Sequence, residues 1–520
     1  MLTIPAFGEP RVINNPENAT AHVYIIEEAS RDLFARYCTL LEQEGYEKRE
    51  EHERETAIYA AFQKGDEGIF LSYYDNLQEI TLVTEQDCRY FSYTDVCRKV
   101  SVTPLVTQVF LEDYGMSYVI RLSDGRFIII DGGVDVENHR KNLWSCLQEQ
   151  NVLEKPVIAC WILTHPHSDH YHCFMGFMKD YGDKVTVEKY LLNFPEADDL
   201  EHYPKLANGN TTFGYNTAGI LNIPRMHSAI QASGAPVYMA HTGQRYRIGD
   251  AYCEIFASMD DTTHRSKKIN ALSLAIRMEL GGQVIFWGTD VSFDFARLPE
   301  RYGEDLKADI LQIPHHGFQC GDADAEIRGY ELVRPRVCFL PVSDFNAFTA
   351  FCIHKNGTYH IMRNVGVEEI LTGETQKTIA LPYTAEPRAK ELLARSCIRG
   401  MDNCGARTWI FTGLSTDRPE DFVFTLLNTT HAIVPVKAEL FFEEKANAVR
   451  DIRIELNPLC FKTLSVIGDE VKTEESYVKT MSLKTRGIPQ GVPFAIRFIS
   501  HVPVVISHRD HTATYRSEHN

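Results

Sequence analysis

Three histidines and an aspartate fall within six positions, at His165, His167, Asp169 and His170. They follow an apolar run, residues 156–163, which is typical of a buried strand that ends at a site. Because side chains alternate along an extended segment, His165 and His167 point the same way and can share one metal ion. Asp169 and His170 lie at the turn toward a predicted helix and can reach a second ion. The string predicts a metal site rather than a histidine-rich surface turn.

Acids and histidines stand at the ends of three further apolar runs. Asp131 follows residues 127–130, Asp290 follows residues 284–289, and His315 and His316 follow residues 310–314. Strands that end at one edge of a sheet bring such side chains together. The chain thus offers enough imidazole and carboxylate groups for more than one metal ion.

These four segments resemble, in order, the motifs of the metallo-β-lactamase superfamily, over about residues 104–383. The resemblance implies that Asp131 orients ligand histidines and that Asp290 bridges two divalent ions, zinc in most members and manganese or iron in others. It also implies that one of His315 and His316 is the last ligand; we assign His315 to the metal and His316, with the ligand Asp169, to catalysis.

Asn270 to Ser273, Gly288-Thr289-Asp290 and His315-His316-Gly317 look most like the branch that includes the late-competence DNA-uptake nuclease domain and the phosphorylcholine esterases. That branch hydrolyses phosphoesters.

Two departures from the family pattern concern the ligand set. Many members have a further histidine ligand between the second and fourth motifs, and His241 is the best of the candidates, which also include His202, His227 and His264. Tyr171 and His172 stand where relatives often have a glycine pair, so His172 either lines the site or caps a helix. Cys320 follows the histidine pair and is more simply read as a loop cysteine than as a ligand.

Composition narrows the class of substrate and the compartment. The net charge is -18, with a pI near 5.6, which disfavours long nucleic acid as a partner unless a local basic patch forms around Arg297, Arg301 and Lys307. The 13 cysteines include no CxxC pair, which suits reduced thiols. No apolar run is long enough for a membrane span and no leader pattern precedes the first strand, so we expect a cytoplasmic protein.

At 520 residues the chain should contain several domains. Strand and helix patterns predict a small α+β domain over residues 1–100, the hydrolase domain over residues 101–395 and a β-sandwich over residues 396–520. The predicted fold class is a multidomain α/β and β protein, and the resemblance to the metallo-β-lactamase superfamily implies an αββα sandwich for the middle domain. Residues 193–236 form a polar insertion in which we look for substrate contacts at Phe194, Tyr203, Phe213, Tyr215 and His227.

The last segment resembles the sensory rhodopsin transducer family, through residues 406–409, 426–428, 491–494 and 500–508. This resemblance implies a β-sandwich that oligomerises or binds a protein partner. His501, His508 and His511 are more simply read as strand and tail residues than as a metal site.

The sequence as a whole predicts a metal-dependent hydrolase that uses a metal-bound hydroxide on a small phosphoester. A lactone or β-lactam ring is the alternative substrate. The rival hypothesis is a sensor or assembly protein, in which the β-sandwich binds a partner and the metal domain is a scaffold.

Overall fold

The computed structural model describes most of the chain. The residues described are 12–15, 21–89, 100–111, 115–195, 219–262, 268–318, 321–343, 358, 361–362, 365–385, 406–415, 423–428, 430, 433–442, 452–457, 461–467, 470–473 and 493–508. The chain forms two compact units, one made of Met1–Ser343 and Asn364–Ala385 and the other of Asp344–Arg363 and Glu386–Asn520. The predicted division into three domains stays a prediction.

The first unit begins with an antiparallel sheet. Its strands are β1 (Val12–Asn15), β2 (Ala21–Ile26), β3 (Glu47–Glu53), β4 (Ala57–Lys64), β5 (Glu67–Tyr74) and β6 (Glu79–Glu85). They lie in the order β1-β2-β6-β5-β4-β3. Helix α1 (Arg31–Gln43) begins where the Ser30 side chain accepts a hydrogen bond from the Leu33 amide, and its apolar stripe packs on one face of this sheet.

A mixed sheet follows, and we name it the first sandwich sheet. Its strands are β7 (Leu105–Gln108), β8 (Ser117–Arg121), β9 (Phe127–Asp131), β10 (Val157–Ile162), β11 (Thr186–Val187), β12 (Tyr190–Leu192), β13 (Val237–Met239) and β21 (Lys377–Ala380). The order is β13-β12-β10-β9-β8-β7-β21, with β11 also paired to β10. The neighbours β9, β10, β12 and β13 are parallel, so their carboxyl ends share one edge.

The second sandwich sheet also contains both antiparallel and parallel pairs of strands. Its strands are β14 (Arg245–Ile248), β15 (Ala251–Ala257), β16 (Ala275–Leu280), β17 (Gln283–Trp287), β18 (Ile310–Gln312), β19 (Val337–Leu340) and β20 (Glu369–Thr372). They lie in numerical order, and the pairs from β17 to β20 are parallel. The carboxyl ends of β17 and β18 therefore also meet at one edge.

Helices surround the two sandwich sheets. They are α2 (Glu137–Gln150), α3 (Ser168–Tyr181), α4 (Ile223–Ser233), α5 (Met259–Thr262), α6 (Leu298–Tyr302) and α7 (Ala323–Val333). One apolar core combines residues of both sheets, among them Ile130, Ile162 and Trp287. A second core lies between the first sandwich sheet and helices α2, α3 and α4. Two sheets with helices packed outside them confirm the predicted fold class.

The second compact unit contains a β-structure whose described strands form one connected set. They are β22 (Ala406–Ser415), β23 (Val423–Leu427), β24 (Val434–Phe442), β25 (Ile452–Leu456), β26 (Phe461–Ile467), β27 (Glu470–Thr473) and β28 (Pro493–His508). Strand β28 pairs with β22 and β24 through its first half and with β23 through its second half. Its length lets it contribute to two halves of one apolar core.

Most predicted elements of the first unit are present, with local differences. Local sequence patterns predict a strand at residues 108–112, whereas the structure has the strand at Leu105–Gln108. In the second unit, such patterns predict two strands, at residues 494–500 and 504–507, which are one continuous strand in the structure, and they do not predict β26 and β27. They also predict a strand at residues 478–485 and a helix at residues 386–395, both of which lie outside the described residues.

The length and apolar character of the helices decide whether one of them could cross a membrane. Within the described parts of the chain, none combines the length and the apolar character needed to cross a bilayer.

Candidate metal centre

The HxHxDH string joins a buried strand to a helix. Strand β10 is fully buried, and His165 follows it with its ring completely shielded from solvent. His167 has extended backbone angles and is the residue before α3, while Asp169 and His170 lie in the first turn of that helix. The switch from extended to helical backbone at this point turns the four side chains toward one another.

His165, His167 and Asp290 form the first donor group, whose ligand atoms all lie within 4.8 Å of one another. The His165 Nε2 atom lies 2.9 Å from His167 Nδ1 and 3.6 Å from Asp290 Oδ2. This places two imidazole nitrogens and one carboxylate oxygen around a single point, which is a set that transition-metal ions prefer.

Asp169, His170 and His316 form the second donor group, within the same limit of 4.8 Å. The His316 Nε2 atom lies 3.3 Å from His170 Nε2 and 3.3 Å from Asp169 Oδ2. Helix α3 supplies two members and the turn after β18 supplies the third. The two sandwich sheets thus meet at this group.

Asp290 faces both groups with different oxygens. Its Oδ2 atom is the one near His165, whereas its Oδ1 atom lies 3.3 Å from His170 Nε2 and 3.7 Å from His316 Nε2. The side chain is 2% exposed. A carboxylate in this position can share its two oxygens between two cations.

Gln312 holds the turn that carries Asp290. Its Oε1 atom accepts a hydrogen bond from the Thr289 amide, and its Nε2 atom donates to the Thr289 carbonyl at 3.3 Å and to the Ile313 carbonyl at 2.6 Å. Thr289 has a φ of +48°, a left-handed conformation that is costly for a β-branched residue. Sequence reasoning missed Gln312, although a glutamine inside the apolar run at residues 310–314 was an available signal.

The structure places His316, the residue assigned to catalysis, in the second donor group, and does not bring His315, the residue assigned to the metal, to either group. His316 is buried and joins the second donor group, whereas His315 lies in neither group and its Nδ1 atom donates to the Phe318 carbonyl at 3.1 Å. Both residues adopt left-handed backbone angles, with φ of +49° and +52°. This double turn directs only the second ring to the cluster, which alternation along a strand does not predict.

Asp131 controls the orientation of two histidines. Its Oδ2 atom accepts hydrogen bonds from His170 Nδ1 at 2.8 Å and from the Thr164 hydroxyl at 2.7 Å, and its Oδ1 atom accepts from the Thr164 amide. The Thr164 hydroxyl in turn accepts from His165 Nδ1 at 3.2 Å. Both rings therefore carry a proton on Nδ1 and present Nε2 to the cluster, as metal ligands require.

The electrostatics of the cluster favour a cation. Burial lowers the pKa of His165 well below its ordinary value and that of His167 to about 4, so both are neutral donors at pH 7. Burial alone would raise the pKa of Asp290, but the charge of His170 and His316 holds it well below its usual range. Burial lowers the pKa of His170, yet the charges of Asp290, Asp131 and Asp169 raise it well above normal. The carboxylates of Asp290, Asp131 and Asp169 thus stabilise positive charge at the position between them.

The donor set fits divalent metal ions. Four imidazoles and two carboxylates converge, and His165 presents an unprotonated nitrogen 2.9 Å from a nitrogen of His167. Two such nitrogens at this distance require a proton or a metal ion between them. His165, His167, Asp169, His170, Asp290 and His316 are therefore the residues that could hold metal.

His241 lies away from the cluster in the structure. Its Nδ1 atom contacts Asp260 Oδ2 at 2.6 Å and its Nε2 atom contacts Glu85 Oε2 at 3.0 Å, so both nitrogens are used. The ring also packs on Phe70 at 4.4 Å. The structure therefore does not bring His241, the best candidate for a further ligand, to this centre, because carboxylates on both sides hold the ring elsewhere.

The other residues considered for substrate contacts, metal binding or a basic patch lie in different parts of the chain. Phe194 is buried against Tyr171, and His227 is exposed on α4. Two residues considered for a basic patch lie beside acids, since the buried Arg301 pairs with Asp261 and Glu79 and Arg297 pairs with Glu79. His202, Tyr203, Phe213, Tyr215, His264, Cys320 and His511 lie outside the described residues, as does the side chain of His508.

One family model matches part of the chain. Residues 111–237 match the family model described as the metallo-beta-lactamase superfamily. Among curated proteins no match was found.

Three solved structures illustrate the structural similarities. Igni18, a metallo hydrolase from Ignicoccus hospitalis, is 12% identical over 54% of this chain and 100% of its own, with a TM-score of 0.32. CmlA, a diiron β-hydroxylase from Streptomyces venezuelae, is 11% identical over 55% of each chain, with a TM-score of 0.32. The Anabaena sensory rhodopsin transducer is 18% identical over 20% of this chain and 96% of its own, with a TM-score of 0.16.

Proposed function

We propose that this chain, which carries a metallo-beta-lactamase superfamily domain, is a hydrolase that works with two divalent metal ions. The observation that supports two ions is the position of Asp290, whose Oδ2 atom faces His165 and whose Oδ1 atom faces His170 and His316. Imidazole and carboxylate donors suit zinc, and also manganese or iron.

The contacts support a separate role for each residue of the cluster. Bound ions would polarise the scissile group and make water acidic enough to react near neutral pH. Asp131 keeps the Nε2 atoms of His170 and His165 turned toward the cluster, directly and through Thr164. Asp169, at 21% side-chain exposure, is the more accessible of the two cluster carboxylates and keeps its catalytic role in this proposal.

His315 takes the proton-transfer role in this proposal. The Phe318 carbonyl accepts from its Nδ1 atom, which leaves Nε2 to exchange a proton with the substrate. Its ring is partly exposed, next to the buried ligand His316. This exchange of roles between the two histidines replaces the earlier assignment.

A small phosphoester is the proposed substrate. The resemblance of the Asn270 to Ser273, Gly-Thr-Asp and His-His-Gly segments to the phosphoesterase branch supports this class. The net charge of -18 supports a small substrate over a long polyanion. Lactones are the second class to test.

Metal content and turnover in Asp290→Ala test the proposal. We expect about two equivalents of metal in the wild-type protein by elemental analysis, after purification without chelator. Asp290→Ala should lower the affinity for both ions, because it removes the carboxylate that faces both donor groups. Turnover should fall by orders of magnitude. Phosphomonoesters, phosphodiesters and lactones are the substrates to compare.

Asp294→Ala is the matched control. Asp294 lies four residues further along, and its carboxylate accepts from the Asp322 amide at 3.3 Å rather than facing the cluster. This variant should keep its metal and its rate. Full occupancy and a normal rate in Asp290→Ala would refute the dinuclear mechanism.

The C-terminal β-structure is proposed to bind a protein partner or a second copy of the chain. Ile410 and Phe441 support this proposal, since they are large apolar residues of β22 and β24 that are more than a third exposed. A cytoplasmic location is retained as a prediction.

A further inference from the structure

Tyr171 is fully buried beside the metal-binding string, directly after His170. Its hydroxyl donates a hydrogen bond to the Gly219 carbonyl. Its ring also meets Phe194 edge to face, with centroids 5.4 Å apart. One side chain thus contacts two residues that are 25 positions apart in sequence.

Gly219 lies against the turn that carries the first histidines. A Cβ atom at Gly219 would fall 1.9 Å from the Pro166 carbonyl oxygen and 3.3 Å from the Cα atom of His167. No side chain fits there, so the glycine backbone covers the Pro166–His167 peptide closely. The turn is therefore enclosed between Gly219 on one side and the start of α3 on the other.

We propose that Tyr171 is a positioning residue for the first donor group, acting through Gly219 and the Pro166–His167 turn. Its hydroxyl fixes Gly219, and Gly219 fixes the turn that sets the separation of His165 and His167 from Asp290. This inference rests on the proposed metal-dependent function. It assigns Tyr171 no contact with substrate.

The second donor group has separate supports. The His170 carbonyl accepts from the Gly132 and Gly133 amides, both at 2.8 Å, and the Asp169 carbonyl accepts from the Met116 amide at 3.0 Å. The His170 ring is held by Asp131. Loss of the Tyr171 hydroxyl should consequently affect the ion of the first group more than the ion of the second.

Tyr171→Phe tests this difference, because it removes the hydroxyl and keeps the ring. Titration of the metal-free protein with zinc should show weaker binding of one ion, by about three- to tenfold, and an unchanged second ion. The visible spectrum of the cobalt(II)-loaded protein should change for the weaker site, since the spectrum reports ligand geometry.

Tyr46→Phe is the matched control. Tyr46 is a buried tyrosine of the N-terminal sheet region, and its hydroxyl donates to Glu67 at 2.7 Å. Both variants lose a hydroxyl hydrogen bond, so both should lower the melting temperature of the metal-free protein modestly. Only Tyr171→Phe should alter zinc affinity and the cobalt spectrum.

Gly219→Ala provides an independent test from the other side of the contact. The added methyl group must displace Pro166, so the first ion should weaken more than in Tyr171→Phe. Gly182→Ala is the control, because a Cβ there meets only Met178 side-chain atoms, at 3.4 Å and beyond. If Gly219→Ala misfolds, Tyr171→Phe still decides the question.

The outcomes separate this inference from the proposed function. Wild-type protein that binds no metal would overturn the proposed function and this inference with it. Wild-type protein that binds two ions, together with Tyr171→Phe of equal affinity for both and an unchanged cobalt spectrum, would overturn the positioning role alone. Equal weakening of both ions would also contradict it.

Discussion

Two buried clusters of acids and histidines lie in the first compact unit, and they differ in how their charges are balanced. One is the candidate metal centre. The other, which we name the junction network, joins strand β6 of the N-terminal sheet to the turn after β13 and to helices α5 and α6. It consists of Glu79, Glu85, His241, Asp260, Asp261 and Arg301.

His170 and His241 show the difference most clearly. Both rings are fully buried, and in both the Nδ1 atom contacts an aspartate. The Nε2 atom of His241 meets Glu85, whereas that of His170 points among His316, Asp169 and Asp290. Burial opposes the charge on His241, but Asp260 and Glu85 raise its pKa to about 10, so it is a cation within a closed set of partners.

The junction network also contains its own arginine. Arg301 is 1% exposed, with Nη1 lying 3.0 Å from Asp261 Oδ1 and Nη2 lying 3.7 Å from Glu79 Oε1. In the metal centre the described contacts of the acids are to histidines, threonine and backbone. A histidine and an acid at the end of a strand therefore do not by themselves indicate a metal site. What separates the two cases is the partner of the second ring nitrogen, which is a carboxylate in a structural ion pair and faces other donor atoms in a candidate metal ligand.

Replacing one histidine from each cluster gives the largest expected effect. His170→Gln should lose its metal ion and reduce turnover by more than about a hundredfold, because a ligand is removed. His241→Gln should keep both ions but lose about 3 kcal/mol of unfolding free energy, since two carboxylates lose their charged partner. Elemental analysis and urea unfolding measure the two effects. Loss of metal in a stable His241→Gln would remove the distinction between the clusters.

Arg301→Met should destabilise the protein by about 3–5 kcal/mol and leave metal binding intact, because Asp261 would stay buried without its cation, while Glu79 would keep Arg297 at 3.3 Å. Arg328→Met is the control. Arg328 is 60% exposed and lies 3.5 Å from Glu300, so its loss should change the unfolding free energy by less than about 0.5 kcal/mol. Equal urea midpoints for the two variants would show that Arg301 does not stabilise the network.

Glu326 is a buried acid that belongs neither to the candidate metal centre nor to the junction network. Its described partners include no cation. Ser292 Oγ donates to its Oε1 atom at 2.7 Å, and burial raises the pKa of Glu326 to about 7. An acid with a raised pKa destabilises the folded state as pH rises from 4.5 through 7. Glu326→Gln should therefore raise the unfolding free energy at pH 8 by roughly 1 kcal/mol and change it little at pH 4. A stability difference independent of pH would contradict a titrating Glu326.

Much of the first unit was predictable because its strands and helices have simple local patterns. Strand β10 is a continuous apolar run, and α1 has a serine cap and a regular apolar stripe, and both patterns can be read from the sequence. Strands β26 and β27 were missed because their sequences carry no clear alternation of apolar and polar residues. Strand β28 was divided in two at Pro503, since a proline inside a strand pattern usually marks an end.

The sequence alone determined which residue types could bind metal and where the strands deliver them. Spacing in the HxHxDH string and the acids after β9 and β17 are local properties, and local properties can be read from residue order. The tertiary structure decided the rest. The choice of His316 over His315 depends on two left-handed residues, and the exclusion of His241 depends on Glu85, 156 positions away. Gln312 and Tyr171 act through backbone atoms of distant turns, which leave no trace in residue spacing.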